Sequence, residues 1–469
     1  MPCIAPPLIR GPVMTQHPAQ PLPTKPRLAG HGKTSLLQVE LNEFDPAFVR
    51  KHAERLDLHN LITVLQFQHS ETTTDDDTEH QGLDPWVQWV NIHTGNPSAT
   101  HGVKRLGETR RQVASEVQIW EALASQGNRW VAWGVMNAPG GNREGCEAFM
   151  PDPWSFEEDA FPPRLNDLLA LPRYMARNYT ESRKSEIARN FMRFVRSYAS
   201  PAHWPVILKF SRSAAGSFAK YGVSLHTLTT LLDYLGALEF VRVRNREQPE
   251  FSVIFLNHIA HLQHQFWLPG EDLHPEMELG LRVADMIMGM LLESRREGEA
   301  MVVLNGLRQK NVSGQGVHVY RQINPERAMA TLIGDPKAAG SYTVEQLMTN
   351  DAHLRFTSSD DADRAERLLS HSALEDKEPI FYVERLSPTD VFCQVATERG
   401  VAKDALWSNA FAQGKFFDVF ETVCERTGAH LQEGDVFADG IPMPDQMKNH
   451  EIYEHTLRFF KKSTRAKAA

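Results

Sequence analysis

The sequence predicts an α/β protein: a central, mostly parallel β-sheet sandwiched by helices, with a helix-rich cap inserted into it. Three observations carry this expectation. Predominantly apolar runs recur along the chain ("LLQVEL", "RWVAWGVM", "SVIFL", "AMVVL"). Segments with helical spacing of apolar residues flank each of them. Strands without a polar face must be covered on both sides, and helical crossovers give parallel sheets that cover. At 469 residues the chain is long enough for roughly two or three structural units.

Taken in order, residues 1–33 read as a disordered leader. Pro2, Pro6, Pro7, Pro12, Pro18, Pro21, Pro23 and Pro26 exclude a helix and the apolar core of a signal peptide, and Met14 is a second candidate start. The first part of the core spans 34–150. It opens with a strand in "SLLQVELNEF" and a helix in "FVRKHAERLDLHNLITVL", and "SEVQIWEALASQG" with its terminal Gly127 precedes the strand "RWVAWGVMN". Residues 151–245 break the alternation with helices from Pro163 to Leu238 and form the cap. The core resumes over 246–342 with "SVIFLNH" and "AMVVLNG", and 343–469 reads as a small α/β unit with a terminal helix and a basic tail. The cluster Asp75, Asp76, Asp77 and Glu79 reads as a loop rather than a metal cage.

A net charge of −9 with interspersed Lys and Arg excludes a dedicated binder of nucleic acid polymers. Cys3, Cys146, Cys393 and Cys424 lie far apart with no CxxC pair, so neither a disulfide framework nor a thiolate zinc site is expected, and a cytoplasmic location fits. No apolar run approaches the ~18 residues of a membrane span. "GHGKTS" ends like a phosphate-binding loop, but Arg27 stands where that loop needs glycine and a strand follows rather than precedes it.

Ligands of such sheets bind beyond the carboxyl ends of the strands. Three apolar runs end in asparagine there: Asn42, Asn257 and Asn305. "FLNHIAHLQHQFW" adds His258, His261 and His264, which fan over roughly 120° of a helix, so that two neighbours can share an ion but three do so awkwardly. Asn257 and His261 form the better-placed i, i+4 pair, and His318 follows in "SGQGVHVY".

The order of these segments resembles the alkaline-phosphatase-like superfamily, nearest its type I phosphodiesterase/nucleotide pyrophosphatase branch. "NIHTGNPSATHG" is similar to that branch's TG-x-x-P-x-x-HG segment, "NHIAHLQHQFW" to its D-x-x-x-H segment, and "MVVLNGL" stands where it has an S-D-H-G turn. The resemblance covers about residues 35–105 and 250–320. It implies two divalent metals, usually zinc, flanking a Thr or Ser nucleophile that attacks a phosphate or sulfate ester. By position it makes Thr73 or Thr74 the nucleophile and places Asn42, Asn257, Asn305, His261 and His318 at metal-ligand positions. A second register, on "QHQFW", puts His264 on the histidine and Ala260 on the aspartate.

Asn42, Asn257 and Asn305 stand where the family has carboxylates, and amide oxygen is a weak zinc ligand. Two expectations follow. One is a metal-dependent hydrolase or transferase of a small anionic phosphoric ester, holding zinc or manganese on His261, His318 and His258 or His264, with Glu40, Glu43 and Asp84 as replacement carboxylates. The other is a catalytically degenerate binding or assembly partner in a biosynthetic pathway that has lost its ions. For the substrate, the expected contacts are Thr94 and an arginine stripe (Arg189, Arg193, Arg196, near Arg173 and Arg177). Trp86, Trp89, Trp133, Trp154 and Trp267 serve either a pocket wall or the core.

Overall fold

The computed structural model describes residues 34–76, 83–106, 116–178, 183–198, 204–221, 224–270, 272–335, 342–345 and 350–468. The proline-rich leader, Asp77 and Glu79 lie outside them.

The centre is an eight-stranded sheet. In chain order its strands are β1 (Leu36–Leu41), β2 (Gln68–Thr73), β3 (Trp130–Val135), β4 (Cys146–Pro151), β5 (Phe251–Leu256), β6 (Ala300–Leu304), β7 (Glu433–Asp439) and β8 (Gln446–Lys448). Across the sheet they run β8-β2-β7-β6-β1-β5-β3-β4. The pairs β1/β5, β1/β6, β3/β5, β3/β4 and β8/β2 are parallel, and only β7 runs against its neighbours β2 and β6. The expected α/β class with a mostly parallel sheet is therefore what the chain adopts. One expected feature differs: residues 433–439 and 446–448, read as part of a separate C-terminal unit, return to the central sheet. Short segments rich in Gly, Asp and Lys gave no sign in sequence of strand positions that cross-sheet pairing supplies.

Alternation along β1 feeds two apolar layers, as a sheet buried on both faces requires. Leu37, Val39 and Leu41 join Phe44, Ile254, Met301 and the helix Pro275–Glu293, while Leu36 joins Trp89, Trp120 and Trp130 on the other face. On that second face Gln38 and Glu40 are also buried. Glu40 is held by His93 Nε2 at 2.8 Å and by Gln38 Nε2 at 2.8 Å, so it is spent in the core.

Helix α1 (Pro46–Leu56) starts because Asp45 accepts from the backbone N–H of Ala47 and Phe48, with Pro46 pre-setting the first turn. Helix α2 (His59–Val64) has no cap of its own; Asp285 of the 275–293 helix accepts from the N–H of Asn60 and Leu61, both at 2.9 Å. Helix α3 (Pro85–Thr94) ends at Gly95, whose φ of 71° closes the helix and whose missing side chain admits the ring of Tyr453. The cap consists of α4 (Asn166–Arg177), α5 (Lys184–Tyr198), α6 (Trp204–Tyr221) and α7 (Leu225–Glu247). An antiparallel sheet of 381–387, 390–395, 351–356 and 342–345 with the helix Ser359–Ser370 forms a separate core around Leu354, Phe381 and Trp407. No helix among the described residues is long and apolar enough to cross a membrane, and Cys146, Cys393 and Cys424 are free thiols.

Arg244 of α7 is fully buried. It donates to Ser294 O at 2.7 Å and Ser252 Oγ at 3.0 Å and pairs with Glu299, which Arg296 also holds at 2.7 Å. Removing one member of such a network strands a buried charge. Arg244→Met is expected to cost about 3–5 kcal/mol in urea unfolding. By contrast, Arg193→Ala, which breaks an exposed pair with Asp167, is expected to cost no more than about 1 kcal/mol.

Candidate metal centre

Where β1 ends, the parallel ladder continues one residue further, Asn42 N–H donating to Leu256 O at 3.0 Å. The next residue, Glu43, takes a left-handed φ of 56°, uncommon without glycine, and its N–H donates to Asn305 O at 2.9 Å. This turn swings the Glu43 carboxylate into a buried position over the carboxyl ends of β1, β5 and β6.

Two imidazoles meet it there. His264 comes from α8 (His258–Phe266), the helix that follows β5. His430 comes from the strand Gly428–His430, which pairs antiparallel with Gln309–Asn311 just after β6 and just before β7. Glu43 Oε2 lies 3.0 Å from His264 Nε2 and 3.1 Å from His430 Nε2, and the two Nε2 atoms are 3.3 Å apart. These three are the residues among those described that could hold an ion.

The other ring nitrogens are engaged elsewhere. His264 Nδ1 lies 3.2 Å from Gly428 O, and His430 Nδ1 lies 3.5 Å from Asp84 Oδ1. An imidazole whose Nδ1–H is held by an oxygen presents the Nε2 lone pair, the usual orientation of a metal-ligating histidine. Gln309 donates from Nε2 to Glu43 Oε2 and to His264 Nε2, the latter at 3.1 Å, while its own Oε1 is buried without a partner.

The donor set fits a divalent ion. Two imidazoles and one carboxylate are a zinc-binding set, and bonds of about 2.0–2.2 Å in a tetrahedron put neighbouring donor atoms about 3.3–3.5 Å apart. The triangle here needs to open by only a few tenths of an ångström.

Electrostatics point the same way. Burial pushes the Glu43 carboxyl up, but the charges of His430 and His264 outweigh it and hold Glu43 well below the usual range. Burial pushes His430 down, and Glu43, by charge and hydrogen bond, together with Asp84 raises it above its ordinary 6.5. Asp84, at the amino end of α3 with no capping bond, is pushed up to about 6 by burial, against the pull of His430 and Arg426. Nearby Asp351 is pushed up to about 7, again by burial and then by the charge of Asp84.

The structure treats the residues singled out from the sequence differently. His264, Glu43 and Asp84 come together. His258 is buried between Asp233 (Nδ1, 2.8 Å) and Gly280 O (Nε2, 3.3 Å), and His261 is exposed and bonded to Asn257 Nδ2 at 3.1 Å. His318 lies on the strand His318–Gln322, which pairs with Phe420–Glu425, and it stacks on Tyr320 away from the triad.

The three strand-end amides knit the sheet together. Asn42 donates to Asn257 Oδ1 and accepts from Trp89 Nε1, both at 2.7 Å. Asn305 donates to Phe44 O at 2.9 Å and Asp435 Oδ2 at 3.0 Å and accepts from Asp435 N at 2.7 Å.

Thr73 and Thr74 also sit at the carboxyl end of a strand, but β2 is three strands from β1, about 14 Å at ordinary strand spacing. Thr74 moreover donates to Asp76. Thr94 Oγ1 donates back to Val90 O at 2.8 Å within α3, Gly95 and Gly102 close helices, and His101 bonds Asn91, so the whole "TGNPSATHG" segment is scaffold. Arg193 is on the cap, paired with Asp167.

His430 escaped the sequence reading. Its "GAHLQEG" setting carried no apolar strand before it; the antiparallel β7 presents its amino end where its neighbours present their carboxyl ends.

No protein-family model and no curated protein matches the sequence. Solved structures similar to the chain include phosphonoacetate hydrolase from Sinorhizobium meliloti 1021 in complex with phosphonoformate. It is 12% identical with a TM-score of 0.41, covering 92% of this chain and 95% of that one. Human ectonucleotide pyrophosphatase/phosphodiesterase 5 is 11% identical with a TM-score of 0.45, covering 91% and 95%. Its murine counterpart is 11% identical with a TM-score of 0.47, over the same shares. At these values the likeness says nothing about the site.

Zinc titration should give one tight site per chain, lost in His264→Ala and His430→Ala and kept in His261→Ala and His318→Ala. Binding must displace protons from the imidazoles. Because His430 is raised, zinc affinity is expected to fall as pH drops through that raised value, and calorimetry at pH 8 and pH 5.5 would measure it. The sign for the ion-free fold is opposite: the His430–Glu43 pair stabilises fully below about 6.5 and fades as pH climbs through the raised value.

Proposed function

We propose that this protein is a metal-dependent hydrolase or transferase of small phosphoric esters that works with a single divalent ion, zinc or manganese, on Glu43, His264 and His430. The observation that carries the proposal is the convergence of two imidazole Nε2 atoms and one buried carboxylate. The ester class rests on the resemblance of the segments around β1, α3 and β5. The single ion rests on Asn42, Asn257 and Asn305, whose amides are consumed by one another and by Trp89, Phe44 and Asp435.

A divalent ion with three protein ligands and an open position would polarise a phosphoryl oxygen and acidify a water. Asp84, at the amino end of α3, lies 3.5 Å from His430 Nδ1, the ring nitrogen that does not face the ion site, and steadies that ring. Glu43 offsets the charge of the ion, and Gln309 holds Glu43. In this reading water attacks, and Thr73 and Thr74 serve the edge of the sheet.

The second reading, a binding partner without turnover, draws on the same three amides.

The test is hydrolysis of bis(p-nitrophenyl) phosphate by protein loaded with zinc or manganese. Turnover abolished by chelator and by His430→Ala, and lowered about 10–100-fold by Asp84→Asn, is the expected result. Thr73→Ala is expected to leave the rate within about threefold, a change worth less than ~1 kcal/mol. Absence of turnover in fully loaded protein across phosphate monoesters and diesters would favour the binding role.

A further inference from the structure

The cap contains a cavity that the metal centre does not use. About 550 Å³ in volume, it lies against α4 and α5, and none of its lining residues belongs to the triad. A space of this size suits a small metabolite rather than a bare ion.

Its wall is chemically uneven. Arg173 and Arg177 from α4 and Arg193 from α5 line it together, whereas Asp159 is the one acid among the described lining residues. Leu169 and Tyr174 supply an apolar side.

The guanidinium of Arg173 is fixed from behind by donation to Ser155 O at 3.0 Å and to Glu158 O at 2.5 Å, yet its Nε is buried without a hydrogen-bond partner. Arg177 lies over the ring of Phe156 at 4.7 Å and donates to Phe156 O at 3.3 Å, contacts that do not neutralise it. Arg193 is steered by Asp167 through Nε and an NH2 group, at 3.1 and 2.8 Å.

Burial, and then the charge of Arg177, lowers the pKa of Arg173 against the pull of Asp152, Asp159 and Glu158. An oxyanion seated between the three arginines satisfies the free donors, and planar guanidinium groups fit phosphoryl oxygens in pairs. Of the arginine stripe read from the sequence, Arg193 reaches the cavity, while Arg189 pairs with Glu186.

We propose that this cavity is a binding site for a phosphorylated small molecule, whose phosphoryl oxygens are held by Arg173, Arg177 and Arg193 while its body lies against Leu169 and Tyr174. The site does not depend on the ion, so it stands or falls separately from the proposed hydrolase activity.

Calorimetric titration of chelator-treated, full-length protein with inorganic pyrophosphate tests it. One saturable site per chain is expected, weakened about tenfold by Arg177→Gln, the effect of losing one charged hydrogen-bonding group. In Arg177→Gln/Arg193→Gln it should vanish, and in His264→Ala/His430→Ala it should be unchanged. Arg177 and Arg193 are solvent-accessible, so both cap variants should keep the thermal midpoint of the wild type; should the double variant unfold, the single Arg177→Gln decides. No saturable binding to the wild type, binding indifferent to Arg177→Gln, or binding lost with the two histidines would each overturn the proposal.

Discussion

A carboxylate buried at the end of a strand is the constraint around which this molecule is arranged. Glu43 is 2% exposed, and a charge in that position is tolerable only when opposite charge or hydrogen-bond donors surround it. The compensating groups, His264, Gln309 and His430, come from three separate stretches of chain. Satisfying Glu43 therefore brings together the turn after β1, the helix after β5, the strand after β6 and the approach to β7. The left-handed backbone at Glu43 is the local cost of that arrangement, repaid by contacts that reach across most of the chain.

Around the carboxylate lies a layer of amides. Asn42, Asn257 and Asn305 occupy equivalent places at the ends of adjacent strands, and each satisfies a neighbour as well as itself. Neutral amides can bond one another as donor and acceptor, which three carboxylates so close together could not do without ions between them. The same layer that stabilises the strand ends thus limits the negative charge there, and leaves Glu43 as the carboxylate of the triad. Asp435 extends the layer: it accepts from Arg308 at 2.6 and 2.7 Å and from Asn305 at 3.0 Å, fixing β7 against β6.

The cap obeys different rules. Its helices α6 and α7 reach the main core through Phe210, Tyr234 and Phe240, while Leu171, Phe194 and Leu235 form a small cluster of their own, and three of its arginines gather around a cavity. Centre and cap therefore differ in kind: the one is a buried carboxylate met by two imidazoles, the other a cavity lined by three arginines.

How much of this was legible in the sequence follows from which forces are local. The predominantly apolar runs fix β1, β3, β5 and β6 and their two-sided burial. The strand-end rule then led to Asn42 and Asn257 and to the histidines after them, and Glu43, Asp84 and His264 lay within reach as alternatives. Spacing along a helix could not decide among His258, His261 and His264. They differ by steps of 60° around α8, and only the neighbours across each step, Asp233, solvent or Glu43, give each ring its role. The "TG" segment was legible as a motif but not as scaffold, because Thr94 and Gly95 act through a helix end and the ring of Tyr453.

By itself, then, the sequence determined the class of the fold and pointed to the carboxyl end of the sheet, since both follow from apolar periodicity. Only the tertiary structure decided which residues meet in the triad. His430 reaches the site because an antiparallel strand inserted between β2 and β6 turns its amino end toward the carboxyl ends of the others, and pairing across a sheet between residues more than a hundred positions apart leaves no periodic trace in the chain.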